Sequence, residues 1–296
     1  MRLSSFIASF ATLACLVSAQ QEVPTNTEPS TIISQYGSRF KNLGGNILHD
    51  KVNVYIIFYG NWSSAESQQE QTTFMHFVDN ISLSPWFSLL KQYTDGNGKS
   101  VTGPLNLAAA VNDAGSHKLN LTPEIHKQIV SDAVSSGYLS PSNQLDSNGI
   151  YVIMGGPDVN DVDFCKNNCG YNSWTDNFQY MYIGYPGSCP NNICVPTVNK
   201  DVSPNSSPAM DAAITIFSHE IQDILTDPRG DAWEINDASG NTIELADLCS
   251  AKGVSKEQFG SMTQDPQLGS YNLELAGSKY LVQTIFDLAS KECKLA

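Results

Sequence analysis

Three side chains in the stretch Ser218-His-Glu-Ile-Gln-Asp-Ile-Leu-Thr-Asp-Pro228 have types and a spacing that could do chemistry: His219, Glu220 and Asp223. On a helix, positions i and i+4 stand on one face about one turn apart, so His219 and Asp223 have the separation of two ligands to one metal ion. Glu220, beside the first ligand, is then placed to act as a general base toward a water that the ion activates. Asp is shorter than a second imidazole and carries a charge. It would draw the ion toward the helix and weaken its pull on water. The bland alternative is a His219–Asp223 hydrogen bond on a solvated helix face.

The pattern His-Glu-x-x-Asp looks like the His-Glu-x-x-His helix of zinc hydrolases, with an Asp in place of the second His. A third ligand is expected downstream. Asp231 to Cys249 reads as an extended arm, a turn at Ser239-Gly240-Asn241 and a returning strand that carries Glu244 and Asp247. In a regular strand residues three apart face opposite sides, so only one of these two acids should reach the helix unless a bulge intervenes. One His with two carboxylates makes a hard, anionic site for one divalent metal ion. Zinc is the first expectation, with manganese, iron and calcium open.

The elements that must position these residues are an α/β set. Ile214, Phe217, Ile221, Ile224 and Leu225 follow helical spacing, opened by Ser207-Pro208 and stopped near Asp227-Pro228. Lys51–Gly60, Gly149–Gly155 and Gln179–Gly184 read as strands, the first nearly continuous in apolar residues and so covered on both faces. Pro104–Val111 is a further strand. Helices are expected over 64–81, 85–93 and 122–136, with a closing helix over 279–291. The fold class is therefore α/β: a single domain over 44–296 with a mixed central sheet flanked by helices, disulfide-stapled loops and a zincin-like metal helix. Gly96-Asn-Gly-Lys-Ser100 resembles the end of a phosphate-binding loop but lacks its opening glycine, and reads as a turn. Neither a Gly-x-Ser-x-Gly elbow nor an internal repeat is present, and the other histidines, His49, His76, His117 and His126, have no second ligand at helical spacing.

Arg2, the apolar run Phe6–Val17 and Ser18-Ala19 form a secretory signal, residues 1–19, followed by a loose segment, 20–43. With 30 acidic against 16 basic residues the chain carries a formal charge of -14, which argues against nucleic-acid and membrane-surface partners. The expected partner is an extracellular peptide or a cell-wall polymer, met by a monomer. Asn61, Asn80, Asn120 and Asn205 open glycosylation sequons. Cys165, Cys169, Cys189, Cys194, Cys249 and Cys293 remain after the signal, an even number suited to three disulfides. Of fifteen connectivities, Cys165–Cys169, Cys189–Cys194 and Cys249–Cys293 is the favoured set. A four-Cys zinc site has the wrong spacing and the wrong redox compartment.

Several pieces resemble the phosphate-induced protein 1, or EXORDIUM-like, family of secreted proteins. They are Gly44-Gly-Asn-Ile-Leu48, Val52-Asn-Val-Tyr-Ile-Ile-Phe-Tyr-Gly-Asn-Trp62, Gly149-Ile-Tyr-Val-Ile153, Phe164-Cys-Lys-Asn-Asn-Cys-Gly-Tyr171, Tyr182-Ile-Gly184 and Cys189-Pro-Asn-Asn-Ile-Cys194. The resemblance implies an extracellular or cell-wall setting, links to growth in plants and no settled activity. Plant relatives generally lack the His-Glu pair, whereas microbial relatives carry His-Glu-x-x-Glu, which Asp223 shortens by one methylene. A fold that forms without the pair does not need His219 for folding alone. Two function classes follow: a secreted metal-dependent hydrolase with peptidase-like chemistry, or a non-catalytic wall or growth-signalling protein with a vestigial site. Glycan binding through Trp62, Trp86 or Trp174 is a third reading.

Overall fold

The computed structural model describes residues 32–140, 142–250 and 254–296. The expected signal, 1–19, and the first part of the loose segment, 20–31, lie outside the described residues. The sheet at the centre has five strands: β1 (Val52–Tyr59), β2 (Leu105–Asp113), β3 (Gly149–Gly155), β4 (Gly170–Trp174) and β5 (Gln179–Ile183), in spatial order β2-β1-β3-β5-β4. All pairings are parallel except β4 with β5. Val54, Ile56 and Phe58 of β1 point to one core while Ile57 and Tyr59 point to the other, so the strand is covered on both faces as its apolar run requires.

One face packs on α1 (Ala65–Asn80) and on a long helix met below, with Phe74 and Phe77 against Phe217. A short helix, α2 (Pro85–Leu90), buries Trp86 and Phe87 in the same core. The opposite face packs on α3 (Pro123–Ser135), whose Thr122 cap accepts from the Ile125 N–H and whose Ile129, Val130 and Val134 are buried. The long helix is α4 (Pro208–Thr226), opened by Ser207 accepting from the Met210 N–H with Pro208 in the first turn. Its periodicity predicts one buried face, yet it is enclosed almost all round. Among its 19 residues only Pro208, Ile216 and His219 are even partly exposed.

The C-terminal chain supplies that second cover, and here the expected helix over 279–291 is overturned. Leu273–Leu275 pairs with Ser278–Tyr280, and Ile285–Asp287 pairs with Glu292–Lys294. Leu281, Val282, Ile285 and Phe286 imitate helical spacing, but the turns decide otherwise. Ala276 and Gly277 both have positive φ, 49° and 85°, as a two-residue hairpin turn demands. Asp287 accepts from the Ser290 N–H and Oγ, which closes the second hairpin.

Within the segment read as loose, residues 32–43 are docked. Ile32, Tyr36 and Phe40 recur every four residues and are all buried, with Phe40 against Trp233 and Phe286. Lys41–Asn42 pairs with Trp233 and Glu234.

Three disulfides form, but two pairings differ from the favoured set: Cys165–Cys189, Cys169–Cys194 and Cys249–Cys293. The four cysteines lie close enough that the Cys189 and Cys194 sulfurs are 3.3 Å apart, yet each bonds across to the other loop. Crossed bridges close loops of 24 and 25 residues and tie together the two ends of the β4–β5 hairpin. Local bridges over four or five residues would have removed less, about 2 kcal/mol each against about 3.5, since the entropy removed grows with the loop closed. Among the described residues no helix is long and apolar enough to cross a membrane.

Candidate metal centre

The structure carries His219, Glu220 and Asp223 on the C-terminal half of α4, with one ligand atom from each within 4.8 Å of the others. After the helix, Asp227 turns the chain: its Oδ1 accepts from the Asp231 and Ala232 N–H groups, both at 2.8 Å. The arm and returning strand form as β6 (Trp233–Asn236) and β7 (Thr242–Ile243), an antiparallel pair. The strand ends at Ile243, one residue before Glu244, and Ala246–Cys249 is a 3-10 turn. The expectation that only one acid could face the helix rested on a regular strand through Asp247. The tighter turn brings both in.

Asp247 Oδ1 lies 3.7 Å from His219 Nε2, and Asp223 Oδ2 lies 3.4 Å from the same nitrogen. Two ligands bonded at about 2.0–2.1 Å to a tetrahedral ion are roughly 3.3 Å apart, so each acid by itself stands at about the right separation from the imidazole, while the set whose ligand atoms are all mutually close is His219, Glu220 and Asp223. Glu244 stands further in, its Oε2 3.4 Å from Asn172 Nδ2, which is also 3.5 Å from Glu220 Oε2.

Asp223, Asp247 and His219 each have one polar atom fixed by a protein hydrogen bond and the other left without one. Ala246 N–H donates to Asp223 Oδ1 at 2.7 Å, leaving Oδ2, which is buried and accepts no hydrogen bond. Glu244 N–H donates to Asp247 Oδ2 at 3.1 Å, leaving Oδ1. His219 Nδ1 meets Gln283 Oε1 at 3.0 Å, leaving Nε2.

The Gln283 contact also decides the tautomer. Its Nε2 donates to the Ala246 carbonyl at 2.6 Å, so Oε1 must face the imidazole and accept from Nδ1–H. In the neutral ring Nε2 then presents a lone pair, the form a metal requires. The backbone of Gln283 is itself pinned, its N–H donating to Ser218 Oγ at 2.9 Å and its carbonyl accepting from the Trp86 indole at 2.6 Å.

The acids are costly to ionise where they stand. Burial pushes the Glu220 carboxyl up to about 7, opposed by the charge of His219 and reinforced by that of Asp247. Burial, with repulsion from Asp247 and Glu220, holds Asp223 well above the usual carboxylate range. Glu244 is raised in the same way by burial and by Asp223. Burial alone would lower His219, but the charges of Glu220 and Asp247 and the Gln283 carbonyl outweigh it and leave the ring more basic than usual. The pocket thus needs positive charge, as protons or as a cation. Ligands of this kind give up protons when a metal enters.

Asn172 and Gln283 were not foreseen. Neither carries a motif, and they reach the site from strands or loops 48 and 64 residues away in the chain. The other histidines stay apart from it. His126 is fully buried, with Nδ1 2.6 Å from the Tyr171 hydroxyl and its ring stacked on Tyr182. Of the tryptophans considered for glycan binding, Trp62 and Trp86 are buried and only Trp174 is exposed, at 43%. Two of the three are therefore unavailable.

The described residues thus form a disulfide-stapled α/β domain in which His219, Glu220 and Asp223 of one buried helix meet Glu244 and Asp247 of the segment that returns to it. The chain belongs to the phosphate-induced protein 1 family, whose conserved region matches residues 40–296. It is similar to Protein EXORDIUM-like 3 of Arabidopsis thaliana, 26% identical over 276 residues that cover 84% of this chain and 80% of the relative. It is also similar to Protein EXORDIUM-like 5 of the same plant, 24% identical over 282 residues, 85% of this chain and 76% of the relative. No solved structure matches the chain.

Proposed function

We propose that this chain is a secreted protein that binds one divalent metal ion, zinc in the first instance, and hydrolyses a bond in a peptide or cell-wall polymer outside the cell. One observation supports the metal reading: His219, Asp223 and Asp247 each hold one polar atom in a protein hydrogen bond, and the other carboxylate oxygens of Asp223 and Asp247 lie 3.4 and 3.7 Å from the remaining imidazole nitrogen, Nε2. Hydrogen-bonded support of this kind is how metal ligands are held ready. The three disulfides suit an oxidising, extracellular compartment.

A bound divalent cation supplies Lewis acidity and makes water a better nucleophile. The chain's own part is proton handling. Glu220, next to the first ligand and within reach of Asn172, takes a proton from the attacking water and returns it to the leaving group. Glu244 lies behind it and shares the Asn172 amide.

Elemental analysis of the purified protein tests the metal: about one ion per chain is expected, and only a few tenths or less in His219→Ala. Equal, negligible contents in both would remove the claim. Glu220→Gln should keep the ion and lose turnover. A second reading is favoured by how enclosed the site is, since the His219 and Asp247 side chains are only 22% and 24% exposed. In that reading the ion is structural and the protein is a non-catalytic wall or growth-signalling factor. A metal-loaded protein inert toward peptide, ester and glycan libraries would select it.

A further inference from the structure

The four asparagines that open glycosylation sequons stand in different surroundings. An oligosaccharide added in the secretory compartment of a eukaryotic cell replaces one of the two Nδ2 hydrogens, so the modified side chain must face solvent and keeps a single donor on that nitrogen. The chain still has to fold with the sugar in place. An asparagine whose amide is built into the fold therefore cannot carry one in the finished protein.

Asn61 and Asn120 meet both conditions. Both are exposed, and among the described residues neither Nδ2 has a protein partner. Asn61 uses its Oδ1 instead, which accepts from the Ser63 N–H at 3.1 Å and from Ser63 Oγ at 2.7 Å, so the asparagine and the hydroxyl of its own motif already meet. Asn120 faces outward from a two-residue strand in which Leu121 faces in.

Asn205 is the opposite case. Its Nδ2 donates to Asp211 Oδ1 at 2.5 Å and to the Lys279 carbonyl at 2.9 Å, while its N–H donates to Asp211 Oδ2 at 2.9 Å. Asp211 is only 2% exposed, so a sugar on Asn205 would take a donor from a buried carboxylate. The hydroxyl of that motif is committed as well: Ser207 Oγ caps α4 by accepting from the Met210 N–H and donates to Glu70 Oε1 at 2.5 Å. Asn80, half-buried in the last turn of α1, donates its Nδ2 to the His76 carbonyl at 2.8 Å beside the buried Ile81.

The two free acceptors share one end of the molecule. Asn61 directly follows β1 and Asn120 lies beyond the end of β2, and the loop after β3 touches both neighbourhoods: Asp158 Oδ1 accepts from the Asn61 N–H at 2.8 Å, and the Asn160 N–H donates to the Leu119 carbonyl at 2.7 Å. This is the rim at the carboxyl ends of the parallel strands. α4 runs the other way. Glu220 reaches Asn172 in the middle of β4, and past the helix Arg229 donates to the Thr175 carbonyl, where β4 turns into the start of β5.

We infer that Asn61 and Asn120 carry N-linked oligosaccharides and that Asn80 and Asn205 stay bare, which clothes the carboxyl-end rim of the sheet and leaves the metal-bearing end of α4 uncovered. The inference rests on secretion and not on the metal. The full chain is secreted from a eukaryotic host and treated with peptide N-glycosidase in water enriched in heavy oxygen, which converts each modified asparagine to a labelled aspartate, and the label is mapped by mass spectrometry. Label is expected at Asn61 and Asn120 alone. Asn61→Gln and Asn120→Gln should each remove one glycan's mass from the intact protein and leave Tm and zinc content as they were, whereas Asn205→Gln should remove no sugar and lower Tm. Label at Asn205 or Asn80 in the folded, secreted protein, or its absence from either Asn61 or Asn120, would overturn the inference. A chain retained in the cell and bare at all four positions would overturn the secretion reading with it. Zinc read on the labelled sample separates this outcome from the fate of the metal centre, which stands or falls without the sugars.

Discussion

At the scale of single residues, the site depends on side chains that do not touch the ion as much as on those that would. Gln283 joins His219 Nδ1 to the Ala246 carbonyl, while Ala246 N–H holds Asp223. One carboxamide thereby sets a tautomer and the seat of a second ligand. Gln283→Leu removes both bonds with little loss of volume, and zinc affinity measured by competition with a chromophoric chelator should fall roughly 10–100-fold. Unchanged affinity would mean that the imidazole is oriented by something else. His219, Glu220 and Asp223 were legible because a helix converts a spacing of four into neighbours. Glu244 and Asp247 were legible as acids in the right segment but not in their geometry, which the 3-10 turn sets. Asn172 and Gln283 gave no signal, since a hydrogen-bonding partner brought in by the fold has no spacing to read.

Among elements, the same division holds. β1, β3, α3 and α4 lie where their patterns put them, because long apolar runs and capped periodic segments have few other uses. The C-terminal hairpins were misread because Leu281, Val282, Ile285 and Phe286 satisfy a helical period while the positive φ at Ala276 is invisible in sequence. The crossed disulfides were misread because nearness in the chain is a poor guide once a hairpin brings two loops together. The bridges should also differ in effect. Cys249–Cys293 ends the turn that carries Asp247 and closes a 44-residue separation, so replacing both by Ser should cost roughly 4 kcal/mol in urea unfolding and weaken zinc binding as well. Replacing Cys165 and Cys189 should destabilise and leave zinc affinity unchanged, since that pair staples the loops around β4 and β5 and touches none of the three proposed ligands. Equal effects on zinc would contradict the separation.

For the whole molecule, α4 is both the main helix of one core and the carrier of the site, so ion binding and folding are linked. A cation that binds only the folded chain stabilises it by about 2.7 kcal/mol when present at a hundred times its Kd. For a domain of this size that is a Tm change of about 5 °C, lost on adding a chelator and absent in His219→Ala. The sheet and its two cores were foreseeable from the alternating and continuous apolar runs. The second cover over α4 was not, because it is assembled from short strands that have no periodicity of their own. The most direct measurement is X-ray absorption at the metal edge of the purified protein. The account predicts one imidazole nitrogen with an otherwise all-oxygen shell at about 2.0–2.1 Å for zinc, and loss of the imidazole signal in His219→Ala. A spectrum with no imidazole scattering, or with sulfur in the shell, would contradict it.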